Sequence, residues 1–196
     1  MDSVFRKLAL GLCLICIVYL CNEIYWKDKF YYEIEEAYEF LQEDVDSLYQ
    51  LNEYLINTMD SLPLGSPIKD TIKISSNYGG RKNPFGNGWN FHTGLDIHAW
   101  IYDTIYSTGS GVVKNAYWMG GYGRCIVISH SSEYESMYAH LYRMFVKKGD
   151  TIQKGQAIGR AGNSGDVTGP HLHYEVKRNG KSTDPINYIN FPYMFE

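Results

Sequence analysis

The hydrophobic pattern begins with a long apolar stretch near the N-terminus. Residues 8–21 contain no charged side chain, and two basic residues come directly before them. Continuing to Trp26 gives 19 residues, which as a helix would be about 28 Å long and close to the ~30 Å hydrocarbon core of a bilayer. Basic residues favour the inner side of a membrane, and Tyr25 and Trp26 suit the opposite headgroup layer. We therefore predict that residues 1–27 are a membrane anchor or, alternatively, a signal segment that is removed.

A second pattern, with a period of seven residues, follows the apolar stretch. Apolar side chains and one asparagine recur at alternating steps of four and three: Ile34, Tyr38, Leu41, Val45, Leu48, Asn52, Leu55, Met59 and Leu62. This spacing predicts a helical stalk over residues 28–66, ended by Pro63, that can form a coiled coil. Asn52 at an a position favours a two-stranded assembly. Other apolar residues widen the face, which suits a helical hairpin or packing against the same chain. A homodimer or a partner protein bound through residues 31–62 is therefore one of two interpretations.

After Pro67 the chain changes to short runs of β-forming residues separated by glycines. The predicted strands cover residues 71–75, 111–118, 124–130, 134–140, 156–161 and 171–176. Their length and alternation are typical of antiparallel strands, and no stretch of helical period is long enough to compete. Residues 67–196 are therefore predicted to form a mainly β, antiparallel domain.

Net charge and cysteine content also differ between the N-terminal region and the β region. Residues 1–60 have a net charge of −8 and residues 61–196 a net charge of +4. The total of −4, with an isoelectric point near 5.9, gives no reason to expect a nucleic-acid partner. The β region contains a single cysteine, Cys125, so its stability must come from packing or from a metal rather than from an internal disulfide.

The histidines carry the candidate chemistry. The segment His92-Thr-Gly-Leu-Asp96 places an imidazole four residues before a carboxylate, and His171-Leu-His173 places two imidazoles two residues apart. On a strand, residues two apart project from the same face, so both rings can reach one cavity. Two histidines and one carboxylate are a common catalytic zinc set that leaves a fourth position open. A spare imidazole beside such a metal can take a proton or stabilise an oxyanion.

A series of ordered motifs resembles one family. They are Ser76-Asn-Tyr-Gly-Gly-Arg81-Lys-Asn83-Pro-Phe, His92-Thr-Gly-Leu-Asp96, Tyr138-Ala-His140-Leu, Gly149-Asp-Thr-Ile-Gln-Lys-Gly155-Gln-Ala-Ile-Gly159 and Gly169-Pro-His171-Leu-His173-Tyr-Glu175-Val. Together they resemble the lysostaphin-type, or LytM-domain, zinc metallopeptidases, over about residues 72–188. The resemblance implies a β-rich groove domain that hydrolyses peptide cross-links of bacterial peptidoglycan. It also implies one zinc ion per chain on His92, Asp96 and His173, with His140 and His171 as the catalytic imidazoles.

Several further residues are candidates for contact with substrate or with a loop over the site. Asn83 occupies a loop from which, by the same resemblance, an asparagine can approach the metal in latent forms. Tyr78 and Tyr174 belong to an aromatic set that could line a groove, together with Trp89, Tyr117, Trp118 and Tyr122. Bulky Trp100 and Tyr102 stand where the family usually has smaller residues and could reshape a groove wall.

The two remaining histidines have simpler explanations. His98 follows Asp96 by two residues and could line the same face, but a structural or groove-edge role is favoured. His130 closes a predicted strand, where a structural hydrogen-bonding role is expected.

These features together favour a membrane-anchored zinc metalloendopeptidase that faces the periplasm or the cell-wall space and cuts peptidoglycan stem peptides. The D-Ala–diaminopimelate cross-link is preferred over glycine bridges, because an anchor and spacer suit a Gram-negative envelope. The alternative is a non-catalytic scaffold of the same fold that activates a cell-wall amidase. A third hypothesis combines an active enzyme with gating by its acidic stalk.

Overall fold

The computed structural model describes residues 2–189, and side chains from residue 7 onward. One long helix, α1, runs from Asp2 to Ser61. It ends two residues before Pro63, whose ring cannot continue a helix. The chain divides into two units between Leu55 and Ile56. The last turns of α1 therefore belong to the second unit.

The first unit consists of α1 up to Leu55. Within the described residues, α1 is the one helix long and apolar enough to cross a membrane, with a mean hydropathy of 2.0 over its most apolar window. The large apolar side chains of its stalk part are exposed, among them Leu41, Leu48 and Leu55. Helix formation over the heptad region is thus confirmed, whereas the coiled coil, the dimer and the division into residues 1–27, 28–66 and 67–196 stay predictions.

The second unit is built from short strands. They are β1 (Ile74–Ser76), β2 (Gly79–Lys82), β3 (Trp89–His92), β4 (Leu95–Ile97), β5 (Thr104–Tyr106), β6 (Gly111–Trp118), β7 (Arg124–Ser129), β8 (Tyr134–Met144), β9 (Thr151–Ile152), β10 (Ala157–Ala161), β11 (Leu172–Arg178) and β12 (Lys181–Thr183). A 3₁₀ turn covers Gly120–Tyr122 and a short helix, α2, covers Ile186–Ile189. The predicted mainly β, antiparallel fold is confirmed.

Most of these strands belong to one antiparallel sheet. Its order is β1-β4-β11-β8-β7-β6-β9, while β10 pairs with β5 and β8, and β12 pairs with β11. Strands β2 and β3 form a separate hairpin. Strand β7 is buried on both faces along most of its length, so its sequence from Arg124 to Ser129 is nearly continuously apolar.

The two faces of the sheet have different roles. On one face Leu95, Tyr138, Leu172 and Tyr174 join the main hydrophobic core. On the other face Cys125, Val127, Met137 and Ala139 form a smaller apolar cluster, with Tyr122 packed against it. Because side chains alternate along a strand, residues 171, 173 and 175 of the β11 region face this second side, where the polar residues of the candidate site gather.

Candidate metal centre

Strand register brings the three predicted metal ligands together. Asp96 lies opposite His173 on the adjacent strands β4 and β11, and His92 enters from the end of the β2–β3 hairpin. His92 Nε2 lies 3.0 Å from His173 Nδ1 and 3.1 Å from Asp96 Oδ1, and the last two atoms are 2.9 Å apart. All three residues are buried. The ligand atoms therefore form a small, nearly equilateral triangle.

This triangle fits one tetrahedral metal ion. In a tetrahedral site with bonds of ~2.0–2.2 Å, neighbouring ligand atoms lie ~3.3–3.6 Å apart, a few tenths of an ångström more than the three separations found here. Two nitrogen donors and one carboxylate oxygen are also a donor set that zinc accepts. The residues present thus fit a divalent ion with a fourth position left for another ligand, as the sequence predicted.

Hydrogen bonds determine which nitrogen of each histidine is free. His92 Nδ1 donates to the carbonyl of Asn77 at 2.8 Å, and His173 Nε2 donates to Glu175 Oε1 at 3.1 Å. A carbonyl or carboxylate can only accept, so each of these two atoms carries a proton. His92 Nε2 and His173 Nδ1 are the atoms that face the common centre, where a metal would take their lone pairs.

The two predicted catalytic histidines are oriented in the same way. His140 Nδ1 donates to the carbonyl of Ser164 at 2.8 Å, and His171 Nδ1 donates to that of Gly169 at 2.9 Å. Both rings therefore keep a lone pair on Nε2. His171 Nε2 lies 3.5 Å from Asp96 Oδ1, and the His140 and His171 ring centroids are 4.8 Å apart. The five predicted residues thus meet in one place.

His140 reaches the site through an irregularity in β8. Strict alternation would send its side chain to the core face with Tyr138, but Ala139 and His140 both face the site and Leu141 returns to the core. The change is made by a left-handed conformation at His140, with a φ of 60°. Such conformations and bulges re-aim side chains and concentrate near functional sites.

Burial and neighbouring groups shift the pKa values of Asp96 and His140. Burial would raise the pKa of Asp96, but hydrogen bonds from His173 and His92 outweigh it and hold that pKa well below its ordinary value. Burial lowers the pKa of His140 to about 4, although its bond to Ser164 opposes the change. His140 is therefore neutral near pH 7 and able to accept a proton.

An open cleft of about 550 Å³ lies over the five residues. One wall comes from the β2–β3 hairpin and carries Arg81, Phe85 and Phe91, while Tyr122 and Asp166 line other parts of the cleft. Arg81 Nη1 donates to Asp96 Oδ2 at 3.0 Å, which leaves Oδ1 for the triangle. An extended peptide could therefore enter next to the metal centre.

The four candidate contact residues lie outside this cleft lining. Tyr78 packs edge-on against Phe91 and donates to the carbonyl of Ser182 at 3.0 Å. Asn83 Oδ1 accepts from the backbone of Phe85 within its own turn, and Tyr102 packs against Tyr142. Tyr174 is fully buried in the core, with its hydroxyl 2.8 Å from Thr108 Oγ1, because residues 172, 174 and 176 alternate away from the site.

Three residues with clear contacts to the site received no role from the sequence: Arg81, Thr93 and Glu175. Glu175 had a usable signal, since it continues the two-residue spacing of His171 and His173 on the same strand face. Thr93 and Arg81 had no such signal, because their partners are 82 and 15 residues away along the chain.

The two remaining histidines lie outside the centre. His98 is exposed and packs on Trp100. His130 is buried and hydrogen-bonded to Ser110 and Ser136, as expected for a structural residue.

Comparisons with known proteins identify relatives of this chain. Residues 90–185 match the profile of peptidase family M23. Peptidoglycan DD-endopeptidase ShyA of Vibrio cholerae is 37% identical over 147 residues, which cover 71% of this chain and 33% of ShyA. The chain spans only about a quarter to a third of the length of the curated relatives that it matches.

Two solved structures show the same fold. A zinc-containing peptidase from Vibrio cholerae has a TM-score of 0.57 and 37% identity, and the match covers 60% of this chain and 37% of that one. The catalytic domain of the antimicrobial peptidase lysostaphin from Staphylococcus simulans has a TM-score of 0.54 and 30% identity, and the match covers 60% of this chain and 91% of that domain. The lysostaphin-type resemblance predicted from the motifs is confirmed, and the chain belongs to peptidase family M23.

Proposed function

We propose that this protein is a zinc metalloendopeptidase that hydrolyses peptide cross-links of bacterial peptidoglycan. One observation carries the proposal: His92, Asp96 and His173 converge on a single point, with His140 and His171 beside it and an open cleft above. The relative ShyA, named as a peptidoglycan DD-endopeptidase, supports the substrate class.

In this mechanism His92, Asp96 and His173 would hold the metal. A bound zinc ion supplies Lewis-acid polarisation of a carbonyl and lowers the pKa of a coordinated water. The Nε2 atoms of His140 and His171 are the free bases next to the scissile position. One of them accepts the proton of the attacking water and passes it to the leaving nitrogen. The other can donate to the developing oxyanion only as an imidazolium, with a proton on Nε2 as well as on Nδ1.

Single substitutions test the assignment in the full-length chain. His173→Ala should abolish both zinc retention and cleavage, because one of three ligands is lost. His140→Ala should keep zinc but lower kcat by about 10²–10⁴-fold. Zinc is measured by mass spectrometry of the purified protein, and cleavage by product masses from defined cross-linked muropeptides. His98→Ala, which removes an exposed histidine, is the matched control and should behave as wild type.

Two outcomes would contradict the proposal. Full turnover of muropeptides by His173→Ala would overturn the ligand assignment. A zinc-free, inactive wild-type protein that still stimulates an amidase would instead favour the non-catalytic scaffold.

The preferred substrate is the D-Ala–diaminopimelate cross-link. ShyA supports this choice by its name as a DD-endopeptidase. Parallel digestion of diaminopimelate-linked and glycine-bridged muropeptide dimers should give products only from the former. Faster cleavage of glycine bridges would contradict it.

We further propose that residues 1–27 anchor the protein in the membrane, with the peptidase unit in the periplasm or cell-wall space. The apolar helix α1 supports the anchor. The chain should remain in the membrane fraction after carbonate washing and keep its full mass. A processed chain in the soluble fraction would show that the segment is a signal peptide.

A further inference from the structure

A fully buried glutamate lies directly behind one ligand of the metal centre. Glu175 has no solvent exposure, and its Oε1 accepts hydrogen bonds from His173 Nε2 at 3.1 Å, Thr93 Oγ1 at 2.5 Å and Tyr122 Oη at 2.9 Å. Its Oε2 has no hydrogen-bond partner among the described residues, although Lys177 Nζ lies 3.5 Å away. Burying a carboxylate is costly unless it is paired and hydrogen-bonded, and here the hydrogen bonds all go to Oε1.

The contact with His173 determines how that ring presents itself to a metal. Because the Glu175 carboxylate can only accept, it keeps a proton on Nε2, which leaves Nδ1 as the atom that a metal at the centre would take. Nδ1 is the atom that lies 2.9 Å from Asp96 Oδ1. A carboxylate behind a ligating histidine also makes the imidazole more basic and limits its rotation.

The segment between the first two ligands packs tightly against the same glutamate. Thr93 follows His92 and supplies a hydroxyl donor. Gly94 allows the close approach, because a Cβ there would lie 2.8 Å from His173 Cε1 and 2.9 Å from Glu175 Cγ. The two ligand motifs are therefore joined through Glu175 as well as through the metal position.

Tyr122 joins this group from a third part of the chain. It lies on the 3₁₀ turn, lines the cleft, and its ring centroid is 5.4 Å from that of His173. Its hydroxyl is also 3.3 Å from Thr93 Oγ1. The hydroxyls of Thr93 and Tyr122 thus hold the Glu175 carboxylate in place, and its third hydrogen bond comes from His173.

We propose that Glu175, held by Thr93 and Tyr122, is a positioning residue that aligns His173 for metal binding and increases the metal affinity of the site. This inference rests on the metal centre of the proposed function, but it does not depend on the substrate. A purely structural role for Glu175 would affect folding and leave metal affinity unchanged, so the two roles can be separated.

The test compares zinc affinity in the full-length chain, measured by competition with a chromophoric chelator, for wild type, Glu175→Gln and Glu175→Ala. Glutamine can still accept the Nε2 proton but has no charge, so its zinc Kd should rise about 10-fold. Alanine removes the acceptor, so its Kd should rise about 100-fold. The absorption spectrum of the cobalt-loaded alanine variant should also change. Glu133→Gln, an exposed site on the β7–β8 turn, is the matched control with wild-type affinity.

A zinc Kd of Glu175→Gln within two-fold of wild type would overturn the inference. If the Glu175 variants do not fold, Thr93→Val and Tyr122→Phe take their place, since each removes one donor to the carboxylate. A raised Kd in both supports the inference, and wild-type affinity in both overturns it. Zinc binding without muropeptide cleavage would contradict the proposed function alone.

Discussion

The orientation of each histidine ring at the site is constrained by a hydrogen bond on the side of the ring that faces away from the centre. The four histidines around the centre each donate one ring proton to an acceptor-only oxygen: Asn77, Ser164 and Gly169 by their carbonyls and Glu175 by its carboxylate. Each ring therefore has one nitrogen held by an acceptor, and its other nitrogen faces the centre or the cleft. The orientation of the four rings therefore depends on these four hydrogen bonds as well as on the histidines themselves.

His130, a buried histidine outside the metal centre, allows a test of how one residue affects the pH dependence of stability. Burial lowers the pKa of His130 below its ordinary value, so the unfolded chain binds this proton more readily than the folded one. The free energy of unfolding should then fall as the pH drops from about 6.5 toward the folded pKa, and rise again with pH. His130→Gln should flatten this slope by up to ~1.4 kcal/mol per pH unit. Urea unfolding at several pH values, with zinc held constant, measures the slope.

Loss of stability alone must be separated from loss of the titrating group. Val113→Ala removes buried apolar volume without a titrating group and should keep the wild-type slope at a lower free energy of unfolding. Equal slopes for wild type and His130→Gln would show that His130 does not cause the pH dependence.

At the scale of elements, the site depends on how closely β4 approaches β11. Gly94 precedes β4, and a Cβ there would lie 2.6 Å from the carbonyl oxygen of Tyr174. Gly94→Ala should therefore push the two strands apart, lower the free energy of unfolding by about 1–3 kcal/mol and weaken zinc binding. Chemical unfolding and zinc titration measure the two effects.

Gly80 offers the matched control for this substitution. It lies in β2, and a Cβ at this position would meet no atom within 4 Å. Gly80→Ala should change the free energy of unfolding by at most ~1 kcal/mol and leave zinc affinity unaltered. A similar loss of stability in both variants would show that the close approach at Gly94 is not the cause.

At the scale of the whole molecule, the β unit includes the end of α1. The backbone N–H of Ser110 donates to the carbonyl of Asp60 at 2.6 Å, and that of Gly65 donates to the carbonyl of Tyr188 at 2.9 Å. A chain beginning at residue 56 should therefore fold with full stability. One beginning at residue 67, the predicted boundary, should lose about 1–3 kcal/mol because these two bonds are absent.

Thermal and urea unfolding of the two shortened chains test the boundary. Equal stability would favour the boundary at residue 67. Unchanged muropeptide cleavage by the chain that begins at residue 56 would also count against gating of the enzyme by its stalk.

The sequence by itself determined the long helix and the antiparallel β class, because periodicity is a local property of the chain. The five residues of the candidate centre came from the family resemblance of its ordered motifs. Strand alternation also placed His171 and His173 on one face. Only the tertiary structure decided the contacts of Arg81, Thr93 and Tyr122, since these join residues from separate elements. It also decided that Tyr174 is buried in the core and that His140 escapes alternation through a left-handed backbone. Packing and register are properties of the whole sheet, so no local pattern contains them.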